Sequence, residues 1–141
     1  MKIGIDIMGG DFAPEAIVKG AIEAQKELND STRIVLVGDQ NQAEEILNKE
    51  GANLSDYDFV HTTEVVEMSD HPAKALLKKP DSSISVGFNL LKENKIQSFA
   101  SAGNSGAMLV GSMYNVKPIS GIIRPCIPSV LPKLSGGEGI I

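Results

Sequence analysis

Three short stretches of this chain gather residue types suited to holding an anion or moving a proton. The first is Asp6-Ile7-Met8-Gly9-Gly10-Asp11-Phe12-Ala13-Pro14, two carboxylates and two glycines between an apolar run and an amphipathic one. Gly9 and Gly10 allow the backbone to approach a ligand closely. A helix opening at Pro14 would add free N–H groups and the positive end of its dipole. The same residues also suit a plain tight turn with Asp11 near the helix cap. The spacing is not G-x-G-x-x-G, so no dinucleotide is implied. The second stretch is Ser101-Ala102-Gly103-Asn104-Ser105-Gly106-Ala107. Consecutive amides in such a loop can form an anion nest, and Ser101, Asn104 and Ser105 add side-chain donors. No Lys follows Gly106, so this is not a Walker A loop. A glycine turn with a serine cap is the alternative reading.

The third stretch runs from Ser69-Asp70-His71-Pro72 through Lys74, Lys78 and Lys79 to Ser82-Ser83. Lysines pair with phosphate or with an acidic protein surface, and His71 can act as acid or base. A solvated basic helix that begins at the histidine would look the same. Arg124, stiffened by Pro125, offers a bidentate fork for phosphate or a surface ion pair. Cys126, between Pro125 and Pro128, reads as a small apolar residue of a buried strand.

The elements that must position these groups alternate in type, which is the α/β pattern. Strands are expected at Lys2–Met8, Arg33–Val37, Asp58–Thr62 and Gln97–Ser101, with another between Pro125 and Pro132. Helices are expected at Pro14–Asn29, at Asn41–Glu50 before Gly51, from Ser82 or Ser83 to Asn94, and at Gly106–Tyr114. The second and fourth strands are short and apolar, as when helices cover both faces of a sheet. The three loops then fall at the C-terminal strand ends, where such sheets gather ligands. Ser135 to Ile141 reads as a turn feeding a strand that has barely begun, which suggests a piece of a longer polypeptide.

Composition sets outer limits. The 141 residues suffice for one α/β domain with a real core. Apolar residues make up 42% and charged residues 22%, which argues against a disordered chain. A net charge of −5 argues against a broad nucleic-acid surface, so any anion must be held by local amides and a few cations. One cysteine permits no intrachain disulfide and suits the cytoplasm. No apolar run approaches a membrane span. Lys2 is followed by too few apolar residues before Asp6 for a signal peptide.

Taken together, MKIGIDIMGGDFAPEAIVKGA, HPAKALLKKPDSSISVG, SFASAGNSGAMLVGS and GIIRPCIPSVLP resemble, in order and spacing, the bacterial phosphate acyltransferases of phospholipid synthesis. The likeness covers nearly the whole chain. It departs at Phe12, where that family has His, and at Pro80, where it has Lys. Members of that family are more than twice this length.

The resemblance implies a three-layer α/β/α fold with a mostly parallel sheet, related to phosphotransacetylases and to the isocitrate and isopropylmalate dehydrogenases. It implies transfer of a fatty acyl group from acyl carrier protein to inorganic phosphate, giving acyl-phosphate. It also implies a homodimer, no metal or organic cofactor, and peripheral association with the inner face of the membrane. The expected catalytic residues are Asp6, Asp11, His71 and Asn104. Phosphate and acyl carrier protein would be bound by Gly9, Gly10, Lys74, Lys78, Lys79, Ser101, Gly103, Ser105, Gly106 and Arg124. Of these, the Ala102–Gly106 loop and Arg124 would take the phosphate, and the three lysines would face the acidic carrier. Competing readings are a phosphotransacetylase-like enzyme using acyl-coenzyme A, and a binding module that does no chemistry. The 141 residues alone are expected to be inactive.

Overall fold

A computed structural model describes residues 1–29, 31–134 and 136–140. Four parallel strands form the main sheet: β1 (Lys2–Asp6), β2 (Arg33–Gly38), β3 (Tyr57–His61) and β4 (Ser98–Ala100). Their order is β3-β2-β1-β4. The chain therefore winds outward from β1 to β3, then returns to the other side of β1. This reversal between β1 and β4 is the topological switch point of a doubly wound sheet.

The period of two along β2 explains the layers. Ile34 and Leu36 face one side and meet α1 (Glu15–Glu27) and α2 (Gln40–Lys49) through Val18, Ala21, Ala43 and Leu47. Val35 and Val37 face the other and meet Ile96, with Val86 and Leu90 of α4 (Ser83–Lys92) beside them. The sheet is thus covered on both faces, which is why β2 reads as an unbroken apolar run. The expected three-layer α/β/α fold is the observed one. Among the described residues no helix is long and apolar enough to cross a membrane.

Caps set several boundaries. The Asp39 carboxylate accepts from the amides of Asn41 and Gln42 at the start of α2. Ser82, fully buried, caps α4 through its hydroxyl. Asn104 caps α5 (Ser105–Asn115) by accepting from the Ala107 amide. The basic stretch is a seven-residue helix, α3 (Pro72–Lys78), with Pro at its first position. At the strand ends remote from these caps, Lys2 and Arg33 both reach Asp58 across β1, β2 and β3. Those two cations, Lys2 first, hold the Asp58 carboxyl below the usual range.

Three expectations are corrected. β4 is not covered on both sides: it lies at the sheet edge, paired only to β1 among the described residues, and Ser98 and Ala100 are exposed. The strand expected between Pro125 and Pro132 shrinks to β5 (Val130–Pro132), which pairs antiparallel with β6 (Glu138–Ile140) outside the main sheet. Pro125 and Pro128 have no N–H to give a ladder. Cys126 accordingly lies outside any strand and is exposed rather than buried. The expected final strand does form, but Ser135 and Ile141 fall outside the described residues.

Two glycines make room for a pair of aromatic rings. Phe88 of α4 and Phe99 of β4 meet edge to face with centroids 5.4 Å apart. Phe99 lies over Gly87, and Phe88 over Gly111 of α5, so that a β-carbon at either glycine would overlap a ring. Gly20, within α1, has nothing within 4 Å of the same position. Opposite signs follow for one substitution type. Gly20→Ala should stabilise by about 1 kcal/mol through helix propensity alone. Gly87→Ala gains the same propensity but should destabilise by about 1–3 kcal/mol net from overpacking. Thermal melts of both variants check this, and Phe99→Leu should restore part of the loss in Gly87→Ala.

Candidate active site

The last residue of β1, Asp6, is 1% exposed, yet both its carboxylate oxygens are engaged. Oδ1 accepts from the Met8 amide at 2.9 Å, and Oδ2 accepts from the Ser101 hydroxyl at 2.6 Å. Ser101 follows β4, so this hydrogen bond spans the switch point. The Ser101 hydroxyl oxygen in turn accepts from the Gly103 amide at 3.0 Å. Gly9 sits within this chain of contacts. A β-carbon there would lie 2.6 Å from the Gly103 nitrogen, 2.7 Å from Asp6 Oδ2 and 2.8 Å from Ser101 Oγ. The two glycine loops predicted from sequence therefore touch backbone to backbone, and only glycine leaves the space. Gly10, with φ of 105°, continues the contact onto Ala102.

The β4–α5 loop opens a helix, as expected. Asn104 satisfies the third amide of α5, which leaves the amides of Ser105 and Gly106 without intrahelical acceptors. Ser105 is exposed and Gly106 half-buried. These two amides, at the positive end of α5, are free to donate to an anion. Asn104 is committed elsewhere. Its Oδ1 caps the helix, and its Nδ2 lies 3.0 Å from the Glu67 carbonyl and 3.1 Å from that of Asp70. It is 6% exposed, and its visible work is to fasten the segment before α3 to the start of α5.

That segment runs into His71 and Pro72. Pro72 packs against Gly106, where a β-carbon would lie 2.5 Å from Pro72 Cγ. His71, the exposed residue before it, precedes the first turn of α3. Lys74 and Lys78 are exposed on α3. Lys79 is not free: its ammonium donates to Asp70 Oδ2 at 2.6 Å and to the Val65 carbonyl at 2.7 Å. Asp11 is exposed in the turn before α1. Arg124 is not brought to the loops. It borders a shallow depression with Ser112, Met113 and Val116, at the far end of α5. At 1.5 Å per residue those three lie roughly 9–15 Å along the helix from Gly106. The chain reaches Arg124 only after leaving α5, which is why its spacing in sequence gave no guide.

Sequence reasoning missed Asp70, Lys79 and Pro72 as supports of the site. A histidine followed by Pro at a helix start was the available signal for the last of these.

The fold and these loops define a class: a doubly wound α/β domain with two docked glycine loops at its switch point. A family model described as "Fatty acid synthesis protein" matches residues 1–141, and the chain belongs to that family. It is 45% identical over 141 residues to a "Phosphate acyltransferase" of Acetivibrio thermocellus, and 45% identical over 141 residues to one of Dictyoglomus turgidum. It is 46% identical over 139 residues to that of Heliobacterium modesticaldum. All of this chain, or 98% of it in the last case, aligns with 41% of each relative. The chain thus spans less than half the length of the curated relatives it matches.

The Asp70–Lys79 pair gives a pH test. The Lys79 ammonium, and after it the Glu67 amide, hold the Asp70 carboxyl below its ordinary value of 3.8. A carboxylate with a depressed folded value stabilises the fold above the ordinary value, and that contribution fades as pH falls through the folded value. Lys79→Met should therefore lower the melting temperature near neutral pH. The gap from the unsubstituted protein should narrow as pH falls below about 3.8, leaving the share that comes from the Val65 carbonyl. Melting curves across this range check it.

Proposed function

We propose that the crevice at the switch point binds inorganic phosphate as the acyl acceptor of a phosphate acyltransferase. The observation that carries this reading is the docking of the two loops. Gly9 and Gly10 lie against Gly103 and Ala102, the loop that leads into the Ser105 and Gly106 amides of α5, in a chain whose family relatives bear that name. Phosphate oxygen attacks the carbonyl carbon of an acyl thioester, forming a C–O bond. The tetrahedral intermediate then expels the thiolate, breaking the C–S bond and leaving acyl-phosphate. The phosphate proton passes to the departing sulfur, directly or through His71. Fixed amides serve this chemistry because they neither reorganise nor titrate as charge moves.

The acyl donor proposed is acyl carrier protein. Its acidic surface would meet Lys74 and Lys78, the two lysines that α3 leaves exposed. A homodimer in the cytoplasm, associating peripherally with the membrane, completes the reading. Arg124 would serve phosphate only if another part of the assembly brought it near the loop.

The test uses proline as a backbone substitution. Ser105 is the first residue of α5, and Asn104 before it has an extended backbone, with φ of −61° and ψ of 102°. Proline is tolerated at that position and removes one N–H. Ser105→Pro, in the protein that carries this sequence, should raise the phosphate KM roughly tenfold or more, the effect of one lost hydrogen bond to a charged group. Ser105→Ala, which keeps the amide, should shift it much less. Steady-state formation of acyl-phosphate, with phosphate varied against acyl carrier protein or acyl-coenzyme A as donor, reads both the acceptor and the donor. An unchanged phosphate KM in Ser105→Pro would remove this loop from the acceptor site.

A further inference from the structure

Asp6 has the residue type of a catalytic base, but its geometry assigns it other work. We infer that Asp6, Ser101 and Gly103 form a directional hydrogen-bond relay that positions the phosphate-binding loop, with Asp6 as a positioning residue that does not touch substrate. The inference rests on the acyl-acceptor reading of the crevice and deepens it.

Direction follows from donor and acceptor inventory. A carboxylate only accepts, and a serine hydroxyl has one hydrogen to give. Because Asp6 Oδ2 takes that hydrogen at 2.6 Å, the remaining lone pairs of Ser101 Oγ must accept, and one does so from the Gly103 amide at 3.0 Å. The second carboxylate oxygen accepts from Met8 in the other loop. One buried side chain thus sets the backbone of both loops, across 95 residues of sequence. Gly103 is two residues before the first amide of α5, so the relay fixes how the loop enters the helix. Gly9, enclosed by Gly103, Asp6 and Ser101, makes the tolerance small. The carboxylate is shielded from the crevice, since Asp6 is 1% exposed and its two oxygens already face a hydroxyl and an amide.

Asp6→Asn tests the direction of the relay at constant shape. The amide nitrogen that replaces one oxygen would donate to Ser101 Oγ, which already accepts from Gly103. The hydroxyl hydrogen would then lose its acceptor. Ser101→Ala breaks the same relay at its middle member with a smaller structural disturbance. It stands in if Asp6→Asn fails to fold.

Two measurements decide. Amide hydrogen exchange by NMR should show Gly103 exchanging roughly tenfold faster or more in each variant, while ladder amides of β2 are unaffected. Kinetics should show the phosphate KM raised roughly tenfold in each, with the acyl-donor KM within about twofold of the unsubstituted protein. The double variant should be no worse than the worse single one, because both break one unit. Unchanged Gly103 exchange would overturn the relay whether or not the protein transfers acyl groups. Faster exchange, with both KM values rising together or with multiplicative effects in the double variant, would overturn the positioning role. If the unsubstituted protein forms no acyl-phosphate, the acyltransferase reading fails by itself. Titration with inorganic phosphate, followed at the Ser105 and Gly106 amides, then judges the relay. Binding that is lost in both variants supports it, and binding absent from the unsubstituted protein, or retained in the variants, overturns it.

Discussion

The hydrogen bond from Ser101 to Asp6 is the constraint around which the site is built. It joins the ends of two strands that are neighbours in the sheet but lie at opposite ends of the chain order. A buried carboxylate is costly to leave without partners, so its two hydrogen bonds are demanded by burial itself. Once they form, the β1–α1 loop and the β4–α5 loop have one relative placement. The contact of Gly9 with Gly103 then removes what slack remains. The α5 amides, the capping role of Asn104 and the seating of Pro72 on Gly106 all depend on that placement.

Support is layered outward from this bond. Asn104 holds the carbonyls of Glu67 and Asp70, and Lys79 holds Asp70 and Val65. The segment between β3 and α3 is therefore pinned from both sides, and His71 lies within it, before Pro72. Beneath the loop, Phe99 continues β4 into the aromatic pair with Phe88, which rests on Gly111. The loop at one end of α5 and the ring packing along its side are parts of one packed unit. The acyl transfer proposed above would use such rigidity, because a phosphate dianion would have to be held against a carbonyl without help from mobile solvent.

Much of the fold was legible because local rules agreed with one another. Ile34–Val37 is apolar throughout, and β2 is covered on both faces. Ser82 or Ser83 was expected to cap α4, and Ser82 does. The two glycine loops could be placed at strand ends because QSFAS and KIGIDIM precede them. What was not legible depended on distance. No local pattern says that Asp6 pairs with Ser101, so Asp6 read as a catalytic carboxylate. Lys79 read as one more exposed cation, because its acceptors, Asp70 and Val65, lie in a loop without periodicity. Cys126 was misplaced because the prolines around it deny the strand that would have buried it, and the position of Arg124 depends on a segment beyond α5 that no local pattern orients.

The sheet order also bears on how the site comes into being. β1 meets β2 and β2 meets β3 over modest separations, but Ile3 pairs with Ser98. Closing that largest loop comes at an entropy that local contacts cannot offset beforehand. During synthesis Asp6 leaves the ribosome long before Ser101, and its carboxylate stays hydrated while β1, β2 and β3 are free to assemble. The docked pair of loops is therefore absent from any nascent chain that ends before Ser101, and it arises when β4 docks and the water on Asp6 is exchanged for a serine.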